Sequence, residues 1–373
     1  LGIKILEESA DGSGLRLEIP GYKVDVTREA DVIEEILRIY GYNNIELREE
    51  IKASISYTAN PDPEKVQNKI SGFLAANGFN EIMNNSLSRS NYYEGNADFP
   101  VEKSVRMLNP ISRDLDVMRQ TLLYGALESV VYNQNRKMPD LKMFEFGRVY
   151  SIGTSDLDPL HGYHEEKHLA LVMSGRSQAE NWNASDITVD FYALKGVVET
   201  IFSTLSVPAG SINISAYQSG VIGEGLKYDI NGFELAVLGS LSGKVLKSFD
   251  CRLPVFYAEI NWDVLFSMIP NKNLKYREIP KFPEVRRDLA LVVGSEITFE
   301  QIQTLAFQTE KKLLKKVGLF DVYEGDKISA GKKSYAMSFI LQSDDKTLTD
   351  KEIEKSMEKL LKGFADVLDA QLR

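Results

Sequence analysis

Cysteine is almost missing from this chain. Cys251 is the only one in 373 residues, which excludes an intrachain disulfide and fits a reducing compartment. Histidine is nearly as scarce, and all three residues fall between positions 161 and 168. No stretch of about eighteen consecutive apolar residues occurs, so no membrane-spanning helix is indicated and a cytoplasmic protein is expected. Leu1 opens the chain with neither a methionine nor a signal-peptide pattern, as expected of a fragment of a longer protein. GxSxG, CxxC and GxxxxGK[ST] are all lacking, and Cys251 has no histidine near it in sequence. An enzyme built on a side-chain nucleophile is therefore poorly supported.

The composition is ordinary for a soluble globular protein, at 43% hydrophobic and 26% charged, and the length suits two or three domains. The net charge of −10 opposes indiscriminate binding of polyanions. Its distribution is uneven. Residues 280–373 hold 16 basic and 16 acidic groups, whereas the first 279 hold 28 and 38. If a polyanion is bound, the last part of the chain repels it least.

The stretch Tyr22–Tyr42 reads as a short strand, a helix capped by Thr27, and a stop at Gly41. Ile33, Ile36, Leu37 and Tyr40 give that helix an apolar face. Asp31, Glu34 and Glu35 share another face, with Asp25 just before the helix. Two readings stand: acids complementing a helix N-terminus, which is the commoner case, or carboxylate oxygens for a hard cation. A charged linker at 47–52 follows. A helix is expected from Pro61 and Pro63 to about Asn77, a strand over Glu81–Arg89, a further element over Val101–Leu108, and a helix from Thr121 to about Asn135. Leu141–Tyr150 reads as a strand, 151–162 as a loop, His168–Ser174 as a strand and Asp190–Leu205 as a helix. Asn231-Gly232 marks a hairpin between Tyr228–Ile230 and Phe233–Leu241. Val255–Ile260 reads as a strand and Asn261–Met268 as a short helix. The expected class is α+β, with a mostly antiparallel sheet. After a proline-bounded connector at 269–283, the order is βαββαβ, as in ferredoxin-like folds. Its elements are Arg287–Val293, Thr298–Lys312, Lys316–Glu324, Lys333–Gln342, Thr349–Phe364 and Ala365–Leu372.

His164-Glu165-Glu166-Lys167-His168 matches HExxH, with His161 nearby. That motif binds zinc when both histidines share one helical face. Here it runs into an apolar strand, where about 3.3 Å per residue separates them too far, and a solvated loop is the alternative. Lys311, Lys312, Lys315 and Lys316 close and overrun the first helix of the last domain. With Arg286, Arg287, Lys332 and Lys333 they either track phosphates or form a solvated face, the second being the more usual role of such a run.

Three modules together carry a family resemblance: the Tyr22–Tyr42 stretch, the strand Phe144-Glu145-Phe146-Gly147-Arg148-Val149-Tyr150, and the last domain. The last contains Phe282-Pro283-Glu284-Val285-Arg286-Arg287-Asp288-Leu289-Ala290 and Thr347-Leu348-Thr349-Asp350-Lys351-Glu352, and ends Gln371-Leu372-Arg373. In this order they resemble the bacterial phenylalanyl-tRNA synthetase beta chain over essentially the whole sequence.

The resemblance implies a partial small helical domain at 1–48, a class II synthetase-like module at 50–278 and a ferredoxin-fold anticodon-binding domain at 280–373. It implies a magnesium site shared with the alpha subunit, with Asp25, Asp31, Glu34 and Glu35 at the family's positions. The Phe144–Tyr150 strand resembles class II motif 2. The arginine of motif 3 has no counterpart near Tyr257–Asn261, where Glu259 stands without it, so the module is implied to be non-catalytic. The implied function is support of ATP-dependent charging of tRNA(Phe) with phenylalanine in an α₂β₂ heterotetramer, the alpha chain doing the chemistry. The family's tRNA-binding OB-type and editing domains have no counterpart in these 373 residues, so the chain alone is expected neither to edit nor to aminoacylate. The alternatives are a free-standing RNA-binding or interaction protein and a zinc hydrolase on His164, Glu165 and His168.

Overall fold

Residues 1–46, 61–112, 114–153, 162–183, 185–270, 278–325, 328–329 and 331–373 are described by a computed structural model. They fall in two units, Leu1–Asn271 and Lys272–Arg373. The expected linker at 47–52, most of the loop at 151–162 with His161, and residues 271–277 of the connector lie outside the described residues.

The first unit begins with an antiparallel pair, β1 (Lys4–Glu8) and β2 (Leu15–Glu18), followed by helix α1 (Glu29–Tyr40). The strand expected before α1 is instead a run of turns, because the Lys23 N–H bonds back to the Pro20 carbonyl and the Val26 N–H to that of Lys23. The helix starts one residue later than expected, with Arg28 rather than Thr27 at the cap. The Asp31 carboxylate accepts the backbone N–H groups of both Arg28 (2.8 Å) and Thr27 (3.0 Å), as the acid of a capping box does. Gly41 ends the helix with φ at 90°. The apolar face is not buried: Ile33, Ile36 and Tyr40 are all exposed.

Next come α2 (Pro63–Ala76), capped by Asp62, then β3 (Asn80–Glu81), β4 (Leu87–Ser88), β5 (Val117–Met118) and α3 (Leu123–Gln134). The single strand expected over Glu81–Arg89 is split into β3 and β4. Asn84 between them gives its N–H (3.2 Å) and its side-chain amide (2.7 Å) to the Glu145 carboxylate and so leaves the ladder. The element expected at Val101–Leu108 is a 3₁₀ turn at Val101–Lys103 and one bridge from Arg106 to Val117.

The main sheet is built from β6 (Leu141–Ile152), β7 (Tyr163–Ser174), β8 (Ile212–Tyr217), β9 (Ile222–Ile230), β10 (Phe233–Leu241) and β11 (Val255–Asn261), with helices α4 (Phe191–Thr204), α5 (Gly243–Ser248) and α6 (Trp262–Ser267) in the connections. Its order is β3-β6-β7-β11-β10-β9-β8, antiparallel apart from the β3–β6 pair. Asn231 (φ 50°) and Gly232 (φ 83°) form the tip of the β9–β10 hairpin, as their type I′ signature requires. The sheet is covered on both faces. Leu169, Leu171 and Met173 of β7 face the layer of α2 and α4, while Ala170 and Val172 face α3. This is why β7 reads as a continuous apolar run rather than an alternating one.

Under α3, Arg119 and Glu145 form a buried ion pair at 2.7 Å, with side-chain exposures of 7% and 1%. Arg119 also donates from Nε to the Arg148 carbonyl (2.9 Å), and its backbone N–H bonds the Ser86 carbonyl. Gly147 leaves the room that this guanidinium fills; a Cβ there would collide with Arg119 and with Leu122.

The second unit has β12 (Val285–Gly294), α7 (Phe299–Thr309), β13 (Leu314–Tyr323), β14 (Lys332–Leu341), α8 (Asp350–Leu368) and β15 (Gln371–Leu372), with antiparallel sheet order β13-β14-β12-β15. This is the expected βαββαβ order. Two bounds differ. Helix α7 stops at Thr309, because the Glu310 carboxylate accepts the N–H groups of Lys312 (3.2 Å) and Leu313 (3.3 Å) and closes a turn. Helix α8 runs to Leu368, through most of the strand expected at Ala365–Leu372. It ends where Asp369 takes a left-handed φ of 48° and the Ala370 N–H bonds the Phe364 carbonyl. Leu291, Met337, Phe339, Leu360 and Phe364 form the core between helices and sheet.

Removing one partner of the buried pair strands a charge, so Glu145→Leu is expected to cost about 3–5 kcal/mol in urea unfolding. The double variant Arg119→Met/Glu145→Leu should be less destabilised than Glu145→Leu alone. Equal or additive losses would mean that the two charges do not depend on each other.

Candidate functional site

The acidic helix comes first. Asp31 and Glu35 lie on α1, but their carboxylates are already engaged. Asp31 meets Arg28 Nη2 at 2.9 Å, and Glu35 meets Lys23 Nζ at 2.5 Å and Arg38 Nη2 at 3.1 Å. The Arg28 guanidinium and the N–H groups of Thr27 and Arg28 hold the Asp31 carboxyl at about 2, and Lys23 lowers that of Glu35. Glu34 and Asp25 are exposed, Asp25 in a turn. Among the described residues no group of three or more His, Cys, Asp or Glu is arranged to hold a metal. As folded here, Asp25, Asp31, Glu34 and Glu35 do not gather as a cation site: capping and ion pairing account for Asp31 and Glu35.

The HExxH stretch is strand, not loop, since β7 already begins at Tyr163. His164 and His168 are four residues apart on it, which spans about 13 Å at the rise of a strand and excludes a shared tetrahedral zinc. The zinc-hydrolase reading is therefore corrected. His168 has another role. Its Nδ1 lies 2.6 Å from Glu259 Oε1 on β11 and its Nε2 3.4 Å from Glu166, and the imidazole is only 16% exposed. Glu259 also accepts the Thr121 and Tyr257 hydroxyls, each at 2.5 Å. Burial works against a charged imidazole, but the hydrogen bonds and charges of Glu166 and Glu259 outweigh it and raise His168 to about 9.

The basic residues of the second unit divide by strand alternation. In one row across the sheet, Lys316 of β13 and Arg286 of β12 flank Ile340 of β14. This row lies on the face away from α7 and α8, because the residues alternating with it, Val317 and Phe339, are buried in the core. Arg286 is stacked over the exposed Phe320 ring, 5.5 Å from its centroid, and bonds Asp288 at 2.8 Å. Arg373 lies 5.0 Å from the centre of the Tyr323 ring. Arg287 is opposite Phe339 and Lys333 opposite Val293, on the helix side, whereas Lys332, opposite Gly294, returns to the open side at the far end of the strand pair. Lys311 and Lys312 are in the turn after α7 rather than on it, and Lys315 pairs with Asp344 at 3.1 Å. The eight cations are thus not one track. The open face combines Arg286, Lys316 and Lys332 with Phe320, Tyr323 and Arg373, an arrangement suited to stacking bases while holding phosphates.

Sequence comparison gives three matches in the same order. The B5 domain of tRNA synthetases matches residues 1–42, the phenylalanyl tRNA synthetase beta chain CLM domain residues 49–262, and the ferredoxin-fold anticodon binding domain residues 280–373. The chain belongs to the phenylalanyl-tRNA synthetase beta chain family. The phenylalanine–tRNA ligase beta subunit of Bacteroides fragilis is 45% identical over all of this chain and 46% of its own length. That of Porphyromonas gingivalis is 41% identical over the same shares. The chain therefore spans about half the length of the curated relatives it matches. Pyrrolysyl-tRNA synthetase from Desulfitobacterium hafniense aligns with 55% of this chain and 68% of its own, at a TM-score of 0.42 and 13% identity.

Within this beta-chain family member, the open sheet face belongs to the segment matching the anticodon binding domain, and the His168–Glu259 pair to the segment matching the CLM domain. Phe320, Tyr323 and Arg373 do not stand out in the sequence as site residues. The one signal for them is the alternation Lys316, Gly318, Phe320 along a strand. The His168–Glu259 contact joins positions 91 residues apart, and sequence spacing gives no hint of it.

The pH dependence follows in sign. With His168 raised from 6.5 to about 9, its contribution to stability is fully present below about 6.5 and lost as pH rises through 9. The melting temperature should fall between pH 8 and pH 10 by more than in His168→Gln. Parallel curves for the two proteins would remove the pair as the cause.

Proposed function

We propose that this chain acts as a beta-subunit part of phenylalanine–tRNA ligase, assembling with an alpha subunit in an α₂β₂ complex and orienting tRNA(Phe) for ATP-dependent charging in the cytoplasm. The division 1–48, 50–278 and 280–373 is part of the proposal, with the middle module a non-catalytic copy of the class II synthetase architecture. The observation that carries the reading is the open face of the second unit, where Arg286 covers Phe320 and Arg373 covers Tyr323 on the exposed side of the sheet. Exposed aromatic rings beside guanidinium groups suit unstacked bases of a loop, and Lys316 and Lys332 on the same face suit its phosphates. Lys311 and Lys312 in the turn after α7, and Lys315 at the start of β13, extend the basic margin. Arg287 and Lys333, on the helix side, would meet only the flanks of a bound RNA.

The magnesium role of Asp25, Asp31, Glu34 and Glu35 stays within this proposal on narrower terms. A cation shared with another chain would have to displace Lys23 from Glu35 and Arg28 from Asp31, so only the assembled complex is expected to hold it. No helix among the described residues is long and apolar enough to cross a membrane.

The experiment is co-expression with an alpha-type subunit, followed by mass and phenylalanine-charging measurements. A heterotetramer that charges tRNA supports the proposal; a stable species that ignores the alpha subunit refutes it. Phe320→Ala should weaken tRNA binding by about 1–3 kcal/mol, the usual worth of one base stack, while leaving the salt dependence intact. Lys311→Glu with Lys312→Glu should instead reduce the salt slope by about one for each phosphate no longer neutralised. An unaltered slope would return these lysines to a solvated face. Glu35→Ala should shift the magnesium midpoint of subunit assembly, and an unchanged titration would count against the cation role.

A further inference from the structure

Backbone groups at the rim of a sheet are a template for another strand unless something blocks them. Every other edge strand among the described residues is blocked. β3, β4, β5 and β15 have two residues each. β13 carries Lys315, Lys316 and Asp321 and breaks register twice against β14. The β1–β2 pair carries Lys4, Glu7, Glu8, Arg16 and Glu18 and a register break of its own. Strand β8 has none of these devices. It ends the main sheet, runs from Ile212 to Tyr217, pairs with β9 without a register break, and holds neither a proline nor a charge. No charged side chain occurs from Thr200 to Gly223, in a chain where 26% of residues are charged. Alternate residues of an antiparallel strand turn their N–H and C=O groups away from its partner. On β8 that outer row takes no hydrogen bond among the described residues.

The occupant that fits this edge is a second β8. Ile212 and Ile214 pack on the layer of α2 and α4, whereas Asn213 and Ser215 are exposed. A two-fold axis normal to the sheet at Ile214 places Ile214 opposite Ile214, Ile212 opposite Ala216, and Asn213 opposite Ser215. Apolar side chains then meet on one face and neutral polar ones on the other, and no like charges are opposed. We propose that β8 is a self-association edge, through which two copies of this chain pair antiparallel and join their main sheets into one. The contact is a single short strand, so the dimer is reversible. It uses neither an alpha subunit nor tRNA, and so does not rest on the function proposed above.

The test is sedimentation equilibrium of the whole chain at about 0.15 M salt, where repulsion between two negatively charged copies is largely screened. The mass is expected to rise from monomer toward dimer as the concentration approaches about 1 mM. In Asn213→Lys/Ser215→Lys the pairing opposes lysine to lysine, and in Asn213→Glu/Ser215→Glu it opposes glutamate to glutamate. Each double variant alone should dimerise about tenfold more weakly. Mixed one to one, the two variants oppose lysine to glutamate and should regain the dimer at least as well as the unaltered chain. Both positions are exposed, and thermal melts check that the variants are folded. A chain that stays monomeric to about 1 mM, whatever else its β8 edge takes up, overturns the proposal. So does a dimer that the double variants leave unchanged, or one that their mixture does not regain.

Discussion

The buried pair of Arg119 and Glu145 is the constraint on which the first unit turns. A charge with 1% side-chain exposure is tolerated only when its partner and its remaining hydrogen bonds are supplied together. Here the supply comes from three separate stretches: the segment of Asn84 and Ser86, Arg119, and the carbonyl of Arg148. Meeting that need fixes three features at once. It breaks the strand over residues 81–89 into two, it holds the Asn84–Ser88 segment beside β6, and it requires a glycine at 147, where the guanidinium passes. Among the described residues no buried side-chain polar atom is left without a partner, so the network is complete as well as central.

A second polar network, around Glu259, follows the same rule with a different outcome. Thr121, Tyr257 and His168 satisfy a carboxylate that the sheet would otherwise bury at high cost. Thr121 is two residues from Arg119, so the start of α3 is held by both networks. Glu166, the second carboxylate at His168, is exposed to solvent rather than held in the core.

In the second unit the deciding factor is the period of two along a strand. Basic residues adjacent in sequence, Arg286 with Arg287 and Lys332 with Lys333, go to opposite faces. Residues distant in sequence, Arg286 with Phe320 and Arg373 with Tyr323, meet on one. A count of charges in a segment cannot separate these cases. Helix α7 shows the same limit at an element boundary. Its apolar period runs toward Lys312, but the Glu310 carboxylate captures two N–H groups and turns the chain early.

Much was legible in the residues themselves: the α+β class, the β9–β10 hairpin from Asn231-Gly232, the capped helix starting near Pro63, and the βαββαβ order of the last domain. These depend on local backbone preference and on hydrophobic period, and both are written in consecutive residues. The acidic helix was legible as a helix, but the state of its carboxylates was not, because Lys23 reaches Glu35 from twelve residues away through a turn. Tertiary structure alone decided that His168 answers to Glu259 rather than to His164, that Arg119 and Glu145 are one buried unit, and which basic side chains share a face. Each of these is a contact between groups brought together by the sheet, and electrostatics at such distances is set by where the chain returns, not by the order in which the residues occur.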